Sequence, residues 1–287
     1  MPVLALLWTW YPLTAGALVV AASIVTRDPA LRTGRFLALH ALILAAAGAL
    51  HYVMRTRTRL AQRLAWSLFN FVGLPTVFSA IGLVLPMVNP QPWEWWCIGV
   101  DRLLTGTDPI PALGSTLAPW STEILQACYA VFYLIPVAAL LGVAAHRKGA
   151  EFDHGLATVA FGFQLSYLGY FVWPTLGPNR LGLWERPVEG MFLAEKLHEL
   201  IETAEANHWD CFPSGHTMLS LVGLWIAFQG SRKVAWALVP IVGCVIYATV
   251  ALRYHYLADV VAGAVGAVAT VVLAKQLRTP ARTAVQR

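Results

Sequence analysis

The sequence predicts an all-α, polytopic membrane protein with about eight transmembrane helices, and three observations carry that reading. Of its 287 residues, 58% are apolar and only 12% are charged, where a soluble domain carries about 25% charge. Mean hydropathy is +0.61. The apolar residues gather into runs of about 17–24, the length that crosses a hydrocarbon core of ~30 Å.

Taken in order, the runs lie near 3–25, 36–54, 66–88, 123–146, 155–174, 213–229, 234–252 and 257–275. The first follows Met1-Pro2-Val3-Leu4-Ala5, with no basic n-region and no cleavage site, so it reads as a retained helix. Pro75, Pro136 and Pro240 are expected to kink their helices. The sixth run is short for a full span and is expected to begin partly buried. Runs rich in Ala, Gly and Leu suit close helix packing. There is no internal repeat and no low-complexity linker, so one membrane domain is expected.

Loop charge sets the orientation. The N-terminus, 55–65, 146–154, 230–233 and the tail from 275 hold 12 Lys and Arg; 26–35, 89–122, 175–212 and 253–256 hold 8. The first set therefore reads as cytoplasmic, with both termini inside, although Arg27, Arg32 and Arg35 lie on the other side. A net charge of +5 needs no nucleic-acid partner, because the basic residues sit where topology places them. Cys97, Cys128, Cys211 and Cys244 make neither a disulfide framework nor a zinc spacing. Cys97 and Cys211 both fall in outer loops, as a disulfide or as two free thiols; Cys128 and Cys244 fall inside helices.

Two polar islands, both on the outer side, interrupt this pattern. In Cys211-Phe212-Pro213-Ser214-Gly215-His216-Thr217, Ser214 is placed to cap a helix starting near Gly215. Such an end attracts anions, and His216 stands in its first turn. In Arg253-Tyr254-His255-Tyr256-Leu257-Ala258-Asp259, the histidine and aspartate are four apart, the spacing that a helix puts on one face. A carboxylate there holds one imidazole nitrogen protonated and leaves the other free to attack. Two histidines, one carboxylate and an anion nest are the parts for phosphoryl transfer through a phosphohistidine. Alone, Pro-Ser-Gly is a common helix entry, and a lone His is usually a packed residue.

Together the islands resemble the last two signature motifs, Pro-Ser-Gly-His and His-x-x-x-Asp, of the type 2 phosphatidic acid phosphatase superfamily. The stretch Tyr170-Phe171-Val172-Trp173-Pro174-Thr175-Leu176-Gly177-Pro178-Asn179-Arg180 is similar to the first motif of the inositol phosphorylceramide synthase-like branch. The stretch Asp101-Arg102-Leu103-Leu104-Thr105-Gly106-Thr107-Asp108-Pro109 resembles another feature of that branch, and is otherwise read as an interfacial turn beside Trp93, Trp95, Trp96 and Trp120. The commoner first motif is half present, as Arg186-Pro187. The commonest third motif has Arg six residues before the nucleophile, where Thr249 stands here, and Arg253 comes two before instead.

The resemblance implies a six-helix catalytic core over 66–275, a two-helix addition over 1–65 and a basic tail over 276–287. It implies His255 as nucleophile, Asp259 as its orienting partner and His216 as general acid and base. Arg180, Arg253, Ser214 and Gly215 would hold phosphate, with Arg186 in reserve, since an Arg fork meets two phosphate oxygens at once. No metal and no cofactor are implied. The partner is a membrane lipid phosphate, with water, or a polyol such as inositol or a lipid alcohol, as acceptor. The readings are a lipid phosphate phosphatase, a head-group transferase such as an inositol phosphotransferase, or a non-catalytic transporter or scaffold. Vanadium haloperoxidases share the histidine motifs, but a chain this apolar is a poor soluble oxidase. Residues 191–207 read as an amphipathic helix, acidic on its wet face through Glu195, Glu199, Glu202 and Glu205, and either a lid or a solvated flank. The histidines at 40, 51, 146, 154, 198 and 208 are expected to be structural, with His208 set apart from the others by its nearness to the first island.

Overall fold

A computed structural model describes residues 1–26, 31–91, 93–110, 117–146, 149–182, 189–204 and 207–276. Among them the helices are α1 (Pro2–Thr26), α2 (Leu31–Met54), α3 (Arg59–Gly82), α4 (Leu85–Val88), α5 (Glu94–Thr105), α6 (Pro119–Val131), α7 (Leu134–Ala145), α8 (Gly149–Val172), α9 (Ala194–Ala204), α10 (Gly215–Gly230), α11 (Arg232–Ala251) and α12 (Leu257–Gln276). No strand occurs among these residues; an isolated bridge pairs Thr175 with Asp210.

Six helices, α1, α2, α3, α8, α11 and α12, are long and apolar enough to cross a membrane. The fourth expected span is instead a pair, α6 and α7, bent by 54°. Pro136 explains the break. It has no N–H to give the Phe132 carbonyl and its ring crowds that oxygen, so Phe132 O accepts from the Ile135 amide at 3.0 Å instead. The sixth expected span, α10, has 16 residues, about 24 Å at 1.5 Å per residue, short of a full crossing. The third span starts earlier than its apolar run, at Arg59, because the Thr58 hydroxyl accepts from the Ala61 amide and caps it.

α10 is the hub: α7, α8, α11 and α12 all pack on it. Lipid tails are as apolar as Leu, so close fit and internal hydrogen bonds hold such helices together. A Cβ on Gly223 would lie 2.9 Å from Ile135 Cγ2, and one on Gly230 2.5 Å from Val143 Cγ2, so both glycines let the helices approach closely. α1 packs on α2, α4 and α8, and Trp8 Nε1 donates to Asn70 Oδ1 at 3.1 Å across the α1–α3 seam.

The two ends of the bundle are tied separately. At one, Arg63 pairs with Asp153 at 2.6 Å and His154 Nε2 meets the Ala274 carbonyl at 2.9 Å. At the other, Asn89 Nδ2 donates to the Val172 carbonyl at 2.8 Å, and the Leu176 amide donates to Glu94 Oε1 at 2.9 Å. Both polar islands lie at this second end.

Candidate active site

Three chain segments are zipped together at that end. The Cys211 amide donates to the Thr175 carbonyl at 3.1 Å, and the Asn179 amide to the Arg253 carbonyl at 2.8 Å. The Ser214 amide donates to the Asp259 carbonyl at 3.0 Å. Gly177 is needed for this approach, since a Cβ there would lie 2.8 Å from the Tyr254 carbonyl oxygen. Arg253 has φ +66°, a region side chains seldom occupy and one found at functional sites. The turn lets the Tyr254 and His255 amides both reach the Thr249 carbonyl, at 2.9 and 2.8 Å.

In the first island Ser214 caps α10 as expected: its Oγ accepts from the Thr217 amide at 3.2 Å. The Ser214 amide and the Thr217 amide are thus committed inside the protein. Gly215 faces Tyr170, whose hydroxyl would stand 2.7 Å from an added Cβ. The His216 ring stacks on Tyr129 at 4.3 Å and lies 4.2 Å from Phe132, and its Nδ1 is 3.4 Å from the Tyr129 hydroxyl. The bend at Pro136 is what ends α6 beside this ring.

The second island departs from the expected helical pairing. α12 begins at Leu257, so His255 lies outside it. The pair meets because Asp259 reaches back over the helix start: its Oδ2 accepts from the Tyr256 amide at 2.9 Å, the reach of a capping box, and lies 3.4 Å from His255 Nδ1. That Nδ1 is nearer the Cys211 carbonyl, at 2.9 Å. Flanked by two acceptors, Nδ1 carries the proton, which leaves the lone pair on Nε2. The rings of His216 and His255 are 5.6 Å apart.

A cavity of about 30 Å³ lies over His255, lined by Tyr129, Asn179, Arg180, Glu202, His208 and Cys211 among others. Arg180 and His255 therefore face one space, while His216 stands behind Tyr129. Burial lowers the pKa of the Arg253 guanidinium. Arg186 lies outside the described residues.

The sequence named several residues here without this role: Asp101 in the branch-like stretch, Glu202 on a wet acidic face, and His198 and His208 among the structural histidines. Asp101, fully buried, accepts from the Leu257 and Ala258 amides at 2.9 and 2.7 Å and so caps the helix that carries Asp259. Burial pushes its carboxyl up to about 6. Glu202 of α9 forms an ion pair with Arg180. His198 Nδ1 meets the Tyr254 hydroxyl at 2.6 Å, so neither it nor His208 is remote from the site. Burial and the charge of Arg180 lower the His208 pKa. Glu123 of α6 accepts from the Met191, Phe192 and Leu193 amides ahead of α9, which anchors that helix over the cavity. The acidic wet face of α9 gave a signal, but not its target.

The cysteines are free, so the Cys97–Cys211 disulfide is not formed. Both thiols turn to one carboxylate instead: Cys211 Sγ donates to Asp259 Oδ2 at 2.7 Å and Cys97 Sγ to Oδ1 at 3.6 Å. Cys211, His255 and Asp259 bring ligand atoms within 4.8 Å of one another, as a metal site would.

A family model described as the PAP2 superfamily matches residues 96–273, a stretch that includes all of the site residues named above. No curated protein and no solved structure matches the chain.

Proposed function

Because the chain belongs to the PAP2 superfamily, we propose that it is an integral-membrane phosphoryl-transfer enzyme that acts on lipid phosphates through a phosphohistidine on His255. The observation that carries this reading is the His255 environment. Nδ1 sits between the Cys211 carbonyl and Asp259, and the ring faces a cavity shared with Arg180.

In the proposed reaction, the Nε2 lone pair of His255 forms a bond to phosphorus as the ester P–O bond breaks. His216 gives its proton to the leaving oxygen. Water or an alcohol then loses a proton to His216 and attacks phosphorus, and the N–P bond breaks. Arg180 and Arg253 stabilise charge on the equatorial oxygens. The cavity of about 30 Å³ admits water-sized groups only. The substrate phosphate therefore takes the place of Glu202 on Arg180, and α9 moves aside as a lid. We place the site on the extracytoplasmic face, from the loop charges, with both termini cytoplasmic.

The test incubates purified protein with a ³²P-labelled lipid phosphate, with and without inositol. Hydrolysis releases labelled phosphate; transfer labels the inositol. An acid-labile, alkali-stable phosphoenzyme is expected in the wild type and absent in His255→Ala. Full turnover by a folded His255→Ala protein refutes the reading.

A further inference from the structure

Three potential metal ligands, Cys211, His255 and Asp259, converge at the proposed nucleophile, and one of them, Cys211, has no part in the proposed reaction. Cys211 Sγ lies 2.7 Å from Asp259 Oδ2 and 3.4 Å from His255 Nδ1, and that nitrogen lies 3.4 Å from the same Oδ2. All three side chains are buried. Tetrahedral zinc holds sulfur at ~2.3 Å and nitrogen or oxygen at ~2.0–2.2 Å, which puts ligand atoms roughly 3.2–3.6 Å from one another. Two of the three separations already satisfy this, and the third has to open by less than about 1 Å. A point about 2.1 Å from all three atoms lies about 1 Å out of their plane, the pyramid that leaves a fourth position open. The trio needs little rearrangement to close on an ion.

We propose that Cys211, His255 and Asp259 form an inhibitory site for a thiophilic divalent cation of the zinc class. The donor set decides the class: thiolate and imidazole suit zinc and its neighbours, whereas magnesium and calcium take oxygen. Two anionic ligands against one divalent ion leave the buried site without net charge. Entry is through the cavity, which Cys211 and His255 both line. The inhibitory consequence rests on the phosphohistidine reading; the binding does not.

The proton balance gives the inhibition. Cys211 loses its S–H proton to solvent as the metal–sulfur bond forms. The metal takes the Nδ1 lone pair, so the imidazole proton moves from Nδ1 to Nε2. An Nε2 that carries hydrogen has no lone pair for phosphorus. One proton is released overall, since the sulfur binds as thiolate.

The experiment uses full-length, detergent-solubilised protein and the metal alone. Cobalt(II) is titrated in anaerobically, and the thiolate-to-cobalt charge-transfer band is followed in the near ultraviolet. Zinc should displace the cobalt. Cys211→Ser should remove the band, and His255→Ala should weaken zinc binding at least tenfold. The variant carrying Cys97→Ser, Cys128→Ser and Cys244→Ser keeps Cys211 as its one thiol and should keep the band, which decides the matter if Cys211→Ser does not fold. Absence of a saturable band in wild type, or a band that survives Cys211→Ser, overturns the site. Turnover that persists in zinc-saturated enzyme overturns the inhibition. A preparation that binds cobalt through Cys211 but turns over no lipid phosphate leaves the site standing and removes the phosphoryl-transfer reading instead.

Discussion

Asp259→Asn separates what a charge does at this site from what a hydrogen-bond acceptor does. In serine-protease triads the same change costs about 10⁴-fold, because the histidine is left in the wrong tautomer. Here the Cys211 carbonyl, at 2.9 Å, accepts from Nδ1 more closely than Asp259 does at 3.4 Å, so the tautomer survives. The asparagine oxygen can also keep the Tyr256 amide and the Cys211 thiol, with its nitrogen toward Cys97. What goes is the negative charge beside an imidazole that becomes cationic in the transition state. A full charge pair ~4 Å apart at an effective dielectric near 20 is worth about 4 kcal/mol. Partial charge development brings that to about 3–4 kcal/mol, or about 10²–10³-fold in rate. The assay is initial-rate release of labelled phosphate, on protein whose melting midpoint and elution volume match wild type. A loss under threefold shows that the charge has no role. A loss as complete as that of His255→Ala shows that the carbonyl does not hold the tautomer.

Three further outcomes are expected. Glu202→Gln should lower KM for a lipid phosphate about fivefold without lowering kcat, since a partly exposed ion pair is worth about 1 kcal/mol; a raised KM would show that Glu202 assists binding. Asp101→Asn should lose about 1–3 kcal/mol of stability by turning an amide NH2 toward one of the two backbone donors. It should also remove a pH slope. The folded chain holds the Asp101 proton up to about pH 6 while the unfolded chain releases it near 4, so wild-type stability should fall as pH rises through that window, and the variant's should not. Gly263→Ala would place a Cβ 2.5 Å from the Ser214 carbonyl oxygen, wedging α12 from α10 at about 1–3 kcal/mol. The melting midpoint and kcat should both drop, whereas Gly243→Ala, with open space at that position, should lower neither.

Composition and patterning by themselves determined that this is a helical membrane protein, because a chain with so few charges has no other solvent for its apolar runs. They located both islands, because short polar stretches between such runs stand out, and Ser214 with its N-cap chemistry is a local affair of three residues. They anticipated that Pro136 disturbs its helix, since a missing N–H is a property of one residue. The tertiary structure decided everything that depends on which ends meet. His255 and Asp259 look like a helical pair, yet they meet through a capping reach at the start of α12, because the turn at Arg253 ends the preceding helix. Asp101 lies 156 residues from the amide of Leu257 that it holds, and Cys97 and Cys211, which the sequence left as a disulfide or two free thiols in outer loops, share the Asp259 carboxylate. Glu202 and its neighbours on α9 read as a wet acidic face until the fold set Arg180 opposite one of them. Local chemistry is written in neighbouring residues, but the partner of a charge is chosen by packing, and packing is a property of the whole chain.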